Sequence, residues 1–172
     1  MRGLRGRVFL DSVYLEIREP QEPLKTAGSV WFLRPTDIHA CAAQVRAHGL
    51  RAHGPSKYEA SDGTWLDVEL EAGDLGAVLP VMTRRVSPAG DPWPPPPAER
   101  QPNGAYAVRE IQLTTPDPCA LRHVLLTLGA NVGEDMCLTY KPDVRIVIQP
   151  GVSGIASVAF ATDGPDDVRL DL

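Results

Sequence analysis

Two segments of this chain match each other at a constant spacing of 80 residues. Segment 30–49 contains a short apolar strand, an aspartate, a helical pattern and a glycine, and segment 110–129 repeats that order. Asp37 and Asp117 lie 80 residues apart, and the glycine that ends each segment keeps the same spacing. A pattern that recurs at a fixed spacing indicates a repeated structural unit. The fold must therefore accommodate at least two copies of a strand-and-helix module.

Each copy carries signals for the start and the end of its helix. Asp37 and Asp117 suit the N-cap position, because a carboxylate there accepts hydrogen bonds from first-turn amides. Pro118 suits the first helical position. Gly49 and Gly129 suit the C′ position, where the backbone takes a positive φ. Apolar residues recur at helical spacing between these limits: Ile38, Cys41, Ala42 and Val45 in the first copy, and Leu121, Val124, Leu125 and Leu128 in the second.

Short alternating runs bounded by Gly, Asp and Pro follow each helix, a pattern typical of strands joined by turns. The strand that precedes each helix completes the pattern. One strand, one helix and about three further strands therefore form the repeating unit, a βαβββ module, and the predicted fold class is α+β. The runs are 56–60, 65–70 and 77–84 in the first copy, and 136–140, 144–149, 156–160 and 168–172 in the second.

The regions outside the two copies predict the domain organisation. Segments 8–10 and 13–17 flank a two-residue turn and are typical of a β-hairpin. Segment 87–103 holds seven prolines, so it should form an extended polyproline II connector, with an SH3 or WW ligand as the alternative. We therefore expect a remnant hairpin in 1–28, one module in 29–86, a linker in 87–106 and a second module in 107–172.

The charge and the apolar runs argue against several classes of protein. The formal net charge of −5 disfavours a nucleic-acid partner, because phosphate contacts need a basic field. Lysine is too rare for a polybasic membrane-surface protein, and no apolar run approaches the roughly 20 residues of a membrane span. Without a signal-peptide pattern, a cytoplasmic location is expected. The three cysteines show no CxxC spacing, which favours reduced core residues.

Six short motifs occur here in the order in which they occur in a known family. Their order resembles that of the glyoxalase-like branch of the vicinal oxygen chelate superfamily, and the resemblance covers nearly the whole chain. It implies modules that form cupped half-barrel sheets, with helices on the outer face and a ligand or metal in the cup. The motifs are Tyr14-Leu15-Glu16-Ile17, Pro35-Thr36-Asp37-Ile38, Gly49-Leu50, Asp62-Gly63, Leu79-Pro80-Val81 and Gln101-Pro102-Asn103-Gly104.

The chain also departs from the family pattern. Family members have a strand of Leu-Asp-His-Val type and a helix upstream of the motif matched by 14–17, so we expect a protein that is N-terminally incomplete. A start codon assigned too far downstream would explain this, as would a truncated paralogue that borrows the missing elements from a second subunit. Gln101 replaces a family histidine, and Val68 and Val81 replace aromatic residues.

Strand alternation assigns the side chains to two faces of each sheet. The face towards the helices takes Val13, Leu15, Ile17, Leu66, Val68, Leu70, Ile111, Leu113, Leu170 and Leu172. The opposite face takes Tyr14, Glu16, Arg18, Trp65, Asp67, Glu69, Glu110, Gln112, Thr114, Arg169 and Asp171. This second set would line the cup. A sheet with one solvated face shows the same alternation without any site, and that alternative stays open.

The resemblance singles out three carboxylates, because superfamily metal ligands tend to lie on the first and last strands of a module. Glu16 matches a last-strand glutamate, Glu69 occupies a comparable place, and Glu110 takes the first-strand position that Val30 fills in the first copy. These three are the predicted catalytic residues, as metal ligands or as the base that abstracts a proton. No cofactor is predicted, and a divalent metal held by the same three carboxylates is the open alternative.

Three functional hypotheses follow from these expectations. The first is a glyoxalase-like lyase, isomerase or dioxygenase, and the second is a ligand-sequestering protein that resembles bleomycin-resistance proteins. The third is a degenerate paralogue without activity. The expected partner is a small organic molecule rather than nucleic acid or membrane, and a homodimer would cover the exposed edge of the hairpin. The predicted ligand-binding residues are Tyr14, Phe32, Trp65 and Gln112.

Overall fold

A computed structural model shows a mixed α+β architecture with two six-stranded sheets. Its described parts contain twelve strands, two α-helices and one 3₁₀ helix. Their order places a helix after the third strand and another after the seventh. The described residues are 5–9, 13–18, 30–33, 35–60, 63–71, 73–87, 107–133, 138–140, 144–162 and 167–171.

Both helices begin where the sequence predicts. Helix α1 spans Ile38–Ala47, and the Asp37 carboxylate accepts hydrogen bonds from two first-turn amides at 2.9 and 3.0 Å. Helix α2 spans Pro118–Thr127, and the Asp117 carboxylate accepts from the backbone amide of Ala120 at 2.9 Å. These bonds satisfy amides that have no partner within the helix. The two predicted N-caps are therefore confirmed.

Both helices also end where the sequence predicts. Gly49 has φ +79° and Gly129 has φ +96°, the left-handed conformation expected just past a helix. The apolar stripe of each helix is turned inwards as predicted, with Cys41 only partly buried. Its buried members are Ile38, Ala42 and Val45 in α1, and Leu121, Val124, Leu125 and Leu128 around α2.

The first sheet has the strand order β1-β2-β3-β6-β5-β4. Strands β3 and β6 are parallel and every other neighbouring pair is antiparallel, including the predicted hairpin of β1 and β2. The strands are β1 (Arg5–Phe9), β2 (Val13–Arg18), β3 (Val30–Leu33), β4 (Ala52–Ala60), β5 (Gly63–Leu70) and β6 (Val81–Ser87).

The second sheet has the order β12-β11-β7-β10-β9-β8, with β7 and β10 parallel. The antiparallel pair β11–β12 lies beside β7, just as the antiparallel pair β1–β2 lies beside β3 in the first sheet. The pair β1–β2 comes first in the chain among the strands of its sheet, whereas the pair β11–β12 comes last. The strands are β7 (Ala107–Thr115), β8 (Asn131–Val132), β9 (Leu138–Tyr140), β10 (Val144–Pro150), β11 (Gly154–Ala161) and β12 (Val168–Asp171).

The predicted strand 77–84 is wrong in its first part. Residues Gly73–Val78 form the 3₁₀ helix instead, and the strand begins only at Val81. Leu75 and Val78 are both buried, and their three-residue spacing suits the three residues per turn of a 3₁₀ helix. The Val78 carbonyl also accepts a hydrogen bond from Trp31 Nε1 at 2.8 Å. Packing of this segment onto β3 therefore outweighs its strand-like pattern.

One hydrophobic core joins the two halves of the chain. The helix-facing sides of both sheets contribute to it, together with buried residues of the two α-helices and the 3₁₀ helix. A hydrogen bond of 3.2 Å from Gln44 Nε2 to the Thr127 carbonyl also links α1 to the end of α2. Core members include Trp31, Leu33, Val45, Val68, Leu75 and Met82 from the first half, and Ile111, Leu113, Leu121, Leu125, Ile146 and Val158 from the second.

Some predictions for single residues need correction or fall outside the description. Leu170 was expected in the core, but it is 38% exposed because β12 is the edge strand of its sheet. Cys119 was expected in the core but is exposed. Cys41 is partly buried, and this burial raises the pKa of its thiol. The proline-rich segment 88–106 and residue Leu172 lie outside the described residues. Within the described part, neither helix has the length and apolar character needed to cross a membrane.

Gly54 provides a test of the tight contact between β4 and β5. Its φ is +95°, and an added Cβ would meet the carbonyl oxygen of Asp67 well inside van der Waals contact. We expect Gly54→Ala to lower the free energy of unfolding by about 3 kcal/mol, measured by urea denaturation. The control is Gly154→Ala, since an added Cβ there meets nothing within 4 Å and should change stability by less than about 0.5 kcal/mol. Equal effects of both substitutions would contradict this account.

Asp37 should make stability depend on acidic pH. Hydrogen bonds from the backbone amides of Ala40 and His39 hold the pKa of its carboxyl below the ordinary 3.8. A lowered folded-state pKa contributes stability above the unfolded value, and that contribution is lost as the pH falls through the folded value. We therefore expect wild type to lose more thermal stability than Asp37→Asn as the pH falls below about 4. Parallel melting curves for the two proteins across this range would rule out the effect.

Candidate functional site

Each sheet has one face turned away from the shared core, and these two faces are the candidate sites. On β5 the core takes Val68, so the opposite face carries its neighbours Trp65, Asp67 and Glu69. On β7 the core takes Ile111 and Leu113. We call the outward surface of the first sheet the first face, defined by Phe32, Trp65, Asp67, Thr83 and Arg85. The second face is defined by Glu110, Gln112, Arg145, Ser157 and Arg169.

Four neighbouring strands bring the residues of the second face together. The parallel register of β7 and β10 sets Arg145 opposite Glu110. On the other side of β7, the antiparallel register with β11 sets Ser157 opposite Gln112. Arg169 lies on β12, opposite Ala159 of β11. Ala159 lies in turn opposite Glu110 of β7. The site is therefore assembled from residues that are far apart in sequence.

Glu110 lies between two arginines. Its Oε1 accepts a hydrogen bond from Arg169 Nη2 at 2.9 Å, and its Oε2 accepts from Arg145 Nη1 at 3.2 Å. The Glu110 side chain is only 17% exposed, whereas the arginine side chains are 47% and 48% exposed. A carboxylate removed this far from water needs compensating charge, and the two guanidinium groups supply it. The arginines thus hold the carboxylate in a fixed position.

Gln112 continues the network along β7. Its Oε1 accepts from Ser157 Oγ at 3.0 Å and from Arg169 Nη1 at 3.4 Å. Ser157 Oγ in turn accepts from Arg169 Nη1 at 3.0 Å. An arginine cannot accept a hydrogen bond, so the amide oxygen of Gln112 must be the atom turned towards Arg169. The orientation of the carboxamide is therefore determined by its neighbours.

A turn closes the end of the second face. Thr114 Oγ1 donates to the Val152 carbonyl at 2.6 Å, and Gly151 packs so closely that an added Cβ would lie 3.2 Å from Thr114 Cβ. The Gly151 amide also donates to the Thr115 carbonyl at 3.0 Å. Val152 at the tip of this turn is 89% exposed. The face therefore has a charged end at Glu110 and a turn with an exposed apolar side chain at its other end.

A β-bulge in β11 decides which side chains reach this face. Ile155 lies opposite Leu113 and belongs to the core, but the register shifts before Ser157, which lies opposite Gln112. Without the shift, strict alternation would place Ile155 and Ser157 on the same face. The bulge therefore allows an apolar residue to face the core and a hydroxyl to face the network two positions later.

The first face is more apolar and more closed. Phe32 is 5% and Trp65 is 4% exposed, so the two predicted aromatic walls are present but packed. Thr83 Oγ1 donates to Asp67 Oδ1 at 2.5 Å across β5 and β6. The guanidinium carbon of Arg85 lies 6.0 Å from the centre of the Trp65 ring, at the distance limit of a cation–π contact.

The predicted site residues divide between the two sheets. Glu110 and Gln112 lie together on the second face, joined through Arg169. Glu69 is exposed on β5 of the first sheet, next to the position of Val68. Tyr14 and Glu16 lie on β2 of the same sheet, but their side chains are outside the described part. The structure thus places the predicted carboxylates in two different sheets.

The described residues do not fit a divalent metal. Among them, no group of three or more His, Cys, Asp or Glu side chains lies close enough to hold an ion. Each carboxylate oxygen of Glu110 accepts a hydrogen bond from an arginine, so a metal ion there would be repelled by two nearby positive charges. Hard divalent ions need several free oxygen ligands. The donor set of the second face therefore suits hydrogen bonding rather than metal coordination.

Sequence reasoning missed two members of the second face, Arg145 and Ser157. Arg145 had a usable signal, because Val144 and Ile146 are apolar and alternation leaves the residue between them on the opposite face. Ser157 had none, because its placement depends on the bulge and on the pairing of β11 with β7.

A separate cleft of about 190 Å³ lies between α2 and the first sheet. Its rim carries Arg51, Glu71 and His123, and its floor consists of side chains that belong to the core or pack against it. The cleft contains neither Glu110 nor Gln112 and is distinct from both faces. The floor residues are Leu50, Leu70, Leu75, Leu79, Ala120 and Val124.

Comparison with known proteins supports the fold alone. No protein-family model matches the sequence, and no curated protein matches it. The structure is similar to a crystal structure of a hypothetical protein from Staphylococcus aureus, with a TM-score of 0.53 at 12% sequence identity. The similarity covers 90% of this chain and 79% of that chain. A shared fold at this identity carries no function with it.

A double-mutant cycle tests whether the second face is an energetically coupled network. We expect Glu110→Gln and Arg169→Gln to show a coupling energy of about 1 kcal/mol, because the carboxylate is largely buried. The matched control is the pair Arg51–Glu71, whose atoms lie 3.4 Å apart and whose side chains are 80% and 47% exposed. That pair should couple by less than about 0.5 kcal/mol. Similar coupling energies in urea denaturation would show that the network adds nothing to an ordinary surface ion pair.

Proposed function

We propose that this chain is a glyoxalase-like, small-molecule-binding protein built from two βαβββ modules, similar to the vicinal oxygen chelate superfamily. The observation that carries the proposal is the strand order of the two sheets. In each sheet, the strand before the helix pairs in parallel with the third strand after it, β3 with β6 and β7 with β10. In both sheets the second strand after the helix lies next to this parallel pair, and the first strand after the helix lies at the edge.

The ligand site of the proposal is the second face. Its floor presents a carboxylate, a carboxamide, a hydroxyl and two guanidinium groups, and the turn at 151–153 forms a wall. Ligand sites commonly combine a few fixed polar groups with apolar surface. The hydrogen bonds among Gln112, Ser157 and Arg169 hold these groups in place before a ligand arrives, which reduces the entropy lost on binding.

Binding without metal-dependent chemistry is favoured over the enzyme hypothesis. Each carboxylate oxygen of Glu110 accepts a hydrogen bond from an arginine, so a metal cation bound at this residue would lie beside two guanidinium cations. The closest resemblance in function is therefore to ligand-sequestering proteins of the bleomycin-resistance type.

The runner-up is a lyase, isomerase or dioxygenase whose metal is held by carboxylates of the first sheet. Glu69 is exposed there and available to a ligand, and Glu16 lies on β2 of the same sheet. A metal bound at these residues would act as a Lewis acid on a substrate oxygen.

Ligand screening tests the proposed function. We expect a library of small aromatic and aliphatic compounds to yield binders that raise the melting temperature of wild type. Gln112→Ala should weaken such a binder about tenfold in isothermal titration, because it removes a fixed hydrogen-bonding group. Arg109→Ala is the matched control, since this exposed residue lies on the same strand outside the network. A library without any binder, or equal losses in both variants, would overturn the proposal.

Metal analysis separates the runner-up from the proposed function. We expect protein purified without chelators to contain less than about 0.1 equivalent of Mn, Fe, Ni or Zn after dialysis, since the two arginines bound to Glu110 repel a metal cation. Stoichiometric metal that is lost in Glu69→Ala but kept in Glu110→Ala would favour an enzyme with its centre in the first sheet.

A further inference from the structure

We infer that the cleft between α2 and the first sheet is a second ligand site, which takes a small neutral molecule with a single hydrocarbon ring. The cleft lies apart from the second face, so this inference goes beyond the proposed function and does not depend on it. It follows from the side chains on the floor of the cleft, from its volume and from the charges at its rim.

Both halves of the chain build the floor of the cleft. Helix α2 contributes Ala120 and Val124, which lie four residues apart and therefore share one side of the helix. The first half contributes four leucines, which follow α1, end β5, lie in the 3₁₀ helix and follow that helix. They are Leu50, Leu70, Leu75 and Leu79. Every side chain of the floor is aliphatic, so the floor presents no polar side chain to a ligand.

Part of this aliphatic floor is accessible to solvent. Leu75 and Val124 are 8% and 4% exposed, but the other four side chains are only partly buried although they pack against the core. Covering exposed aliphatic carbon with an apolar ligand removes it from water, which is favourable. A ligand that contacts both halves of the chain would bind the folded protein in preference to the unfolded chain and raise its melting temperature.

The volume of the cleft limits the size of the ligand. It measures about 190 Å³, which is below the roughly 300–1,000 Å³ of sites that hold drug-sized molecules. It exceeds the volume of roughly 150 Å³ at which an apolar protein cavity can bind benzene. A molecule with one ring and a short substituent therefore matches the cleft better than a larger ligand does.

The rim of the cleft favours a neutral molecule. Arg51 Nη1 lies 3.5 and 3.4 Å from the two carboxylate oxygens of Glu71, so the two charges compensate each other. A charged group on the ligand would be attracted by one of these side chains and repelled by the other. It would also lose part of its hydration in the cleft. A neutral hydroxyl group avoids both penalties and can exchange a hydrogen bond with His123, which also lies at the rim.

The test compares three probes that share a 4-methylphenyl group and differ in charge. In isothermal titration at neutral pH, we expect the neutral p-cresol to bind wild type with a Kd of about 1 mM or below. The anion 4-methylbenzoate and the cation 4-methylbenzylamine should each bind at least about threefold more weakly, because each brings a charge to the rim.

Matched alanine substitutions locate the binding. Ala120→Leu fills the floor with a larger side chain and keeps the backbone amide that donates to Asp117, so it should weaken p-cresol at least about tenfold. Ala43→Leu is the control, since this exposed residue lies on α1 outside the cleft. Gln112→Ala, which alters the second face, should leave p-cresol binding unchanged. Circular dichroism and melting curves confirm that each variant is folded.

A measurement on wild type makes the test independent of the variants. In NMR titrations with p-cresol, we expect the methyl resonances of Leu75 and Val124 to shift, because both side chains line the cleft. The methyl resonances of Val152, at the exposed turn of the second face, should stay unchanged.

Several results would overturn this inference. These are the absence of p-cresol binding, equal binding of p-cresol and a charged probe, wild-type affinity in folded Ala120→Leu, and a shift of Val152 without one of Val124. A shift of Val124 that depends on protein concentration without any probe would also overturn it, because a second copy of the chain would then occupy the cleft. The proposed function fails separately, if no library compound depends on Gln112 for its binding.

Discussion

The shared hydrophobic core is the constraint on which the rest of the structure depends. Both sheets turn their helix-facing sides to it, and the 3₁₀ helix of the first half packs against β7 and β11 of the second. A sheet side that lies in a core is apolar, so the polar side chains of the described central strands concentrate on the two outward faces. The core therefore determines where a site can be as well as how the halves are held together.

The second face shows how a carboxylate can become nearly buried on an outward surface. Arg145 on β10 and Arg169 on β12 pair with Glu110 from opposite sides of β7, and their side chains are about half exposed while that of Glu110 is only 17% exposed. Removing one arginine would leave the carboxylate with less compensation in a place of limited hydration. The same two contacts that compensate the charge of Glu110 also place a guanidinium group beside each of its carboxylate oxygens.

The helices could be predicted from sequence because their signals are local. Asp37, Asp117 and the two glycines act on amides and dihedral angles within a few residues, and each prediction is confirmed. The placement of Glu110 and Gln112 on the side of the sheet away from the helices was predictable for a similar reason, since alternation depends only on the strand itself.

What could not be predicted depends on contacts between distant segments. The bulge that turns Ser157 towards Gln112 is a property of the pairing of β11 with β7, and a one-residue shift reverses every side chain beyond it. The segment Gly73–Val78 has a strand-like composition at its end, but burial of Leu75 and Val78 and the hydrogen bond from Trp31 select a 3₁₀ helix. Leu170 has the alternation of a core residue and lies on an edge strand that the helices do not cover.

The two sheets use one strand order to produce two different surfaces. On the first face, Phe32 and Trp65 are buried, and the hydrogen bond from Thr83 to Asp67 joins β6 to β5. On the second face, strands β7 and β10, which correspond to β3 and β6, carry Glu110 and Arg145. The Arg145 side chain there is about half exposed. The strand order is the same in both sheets, so the difference lies in the local registers and in which side chains occupy the outward positions. A strand order of this kind places groups at fixed positions across four strands, and the chemistry of the face then follows from charge and burial at those positions.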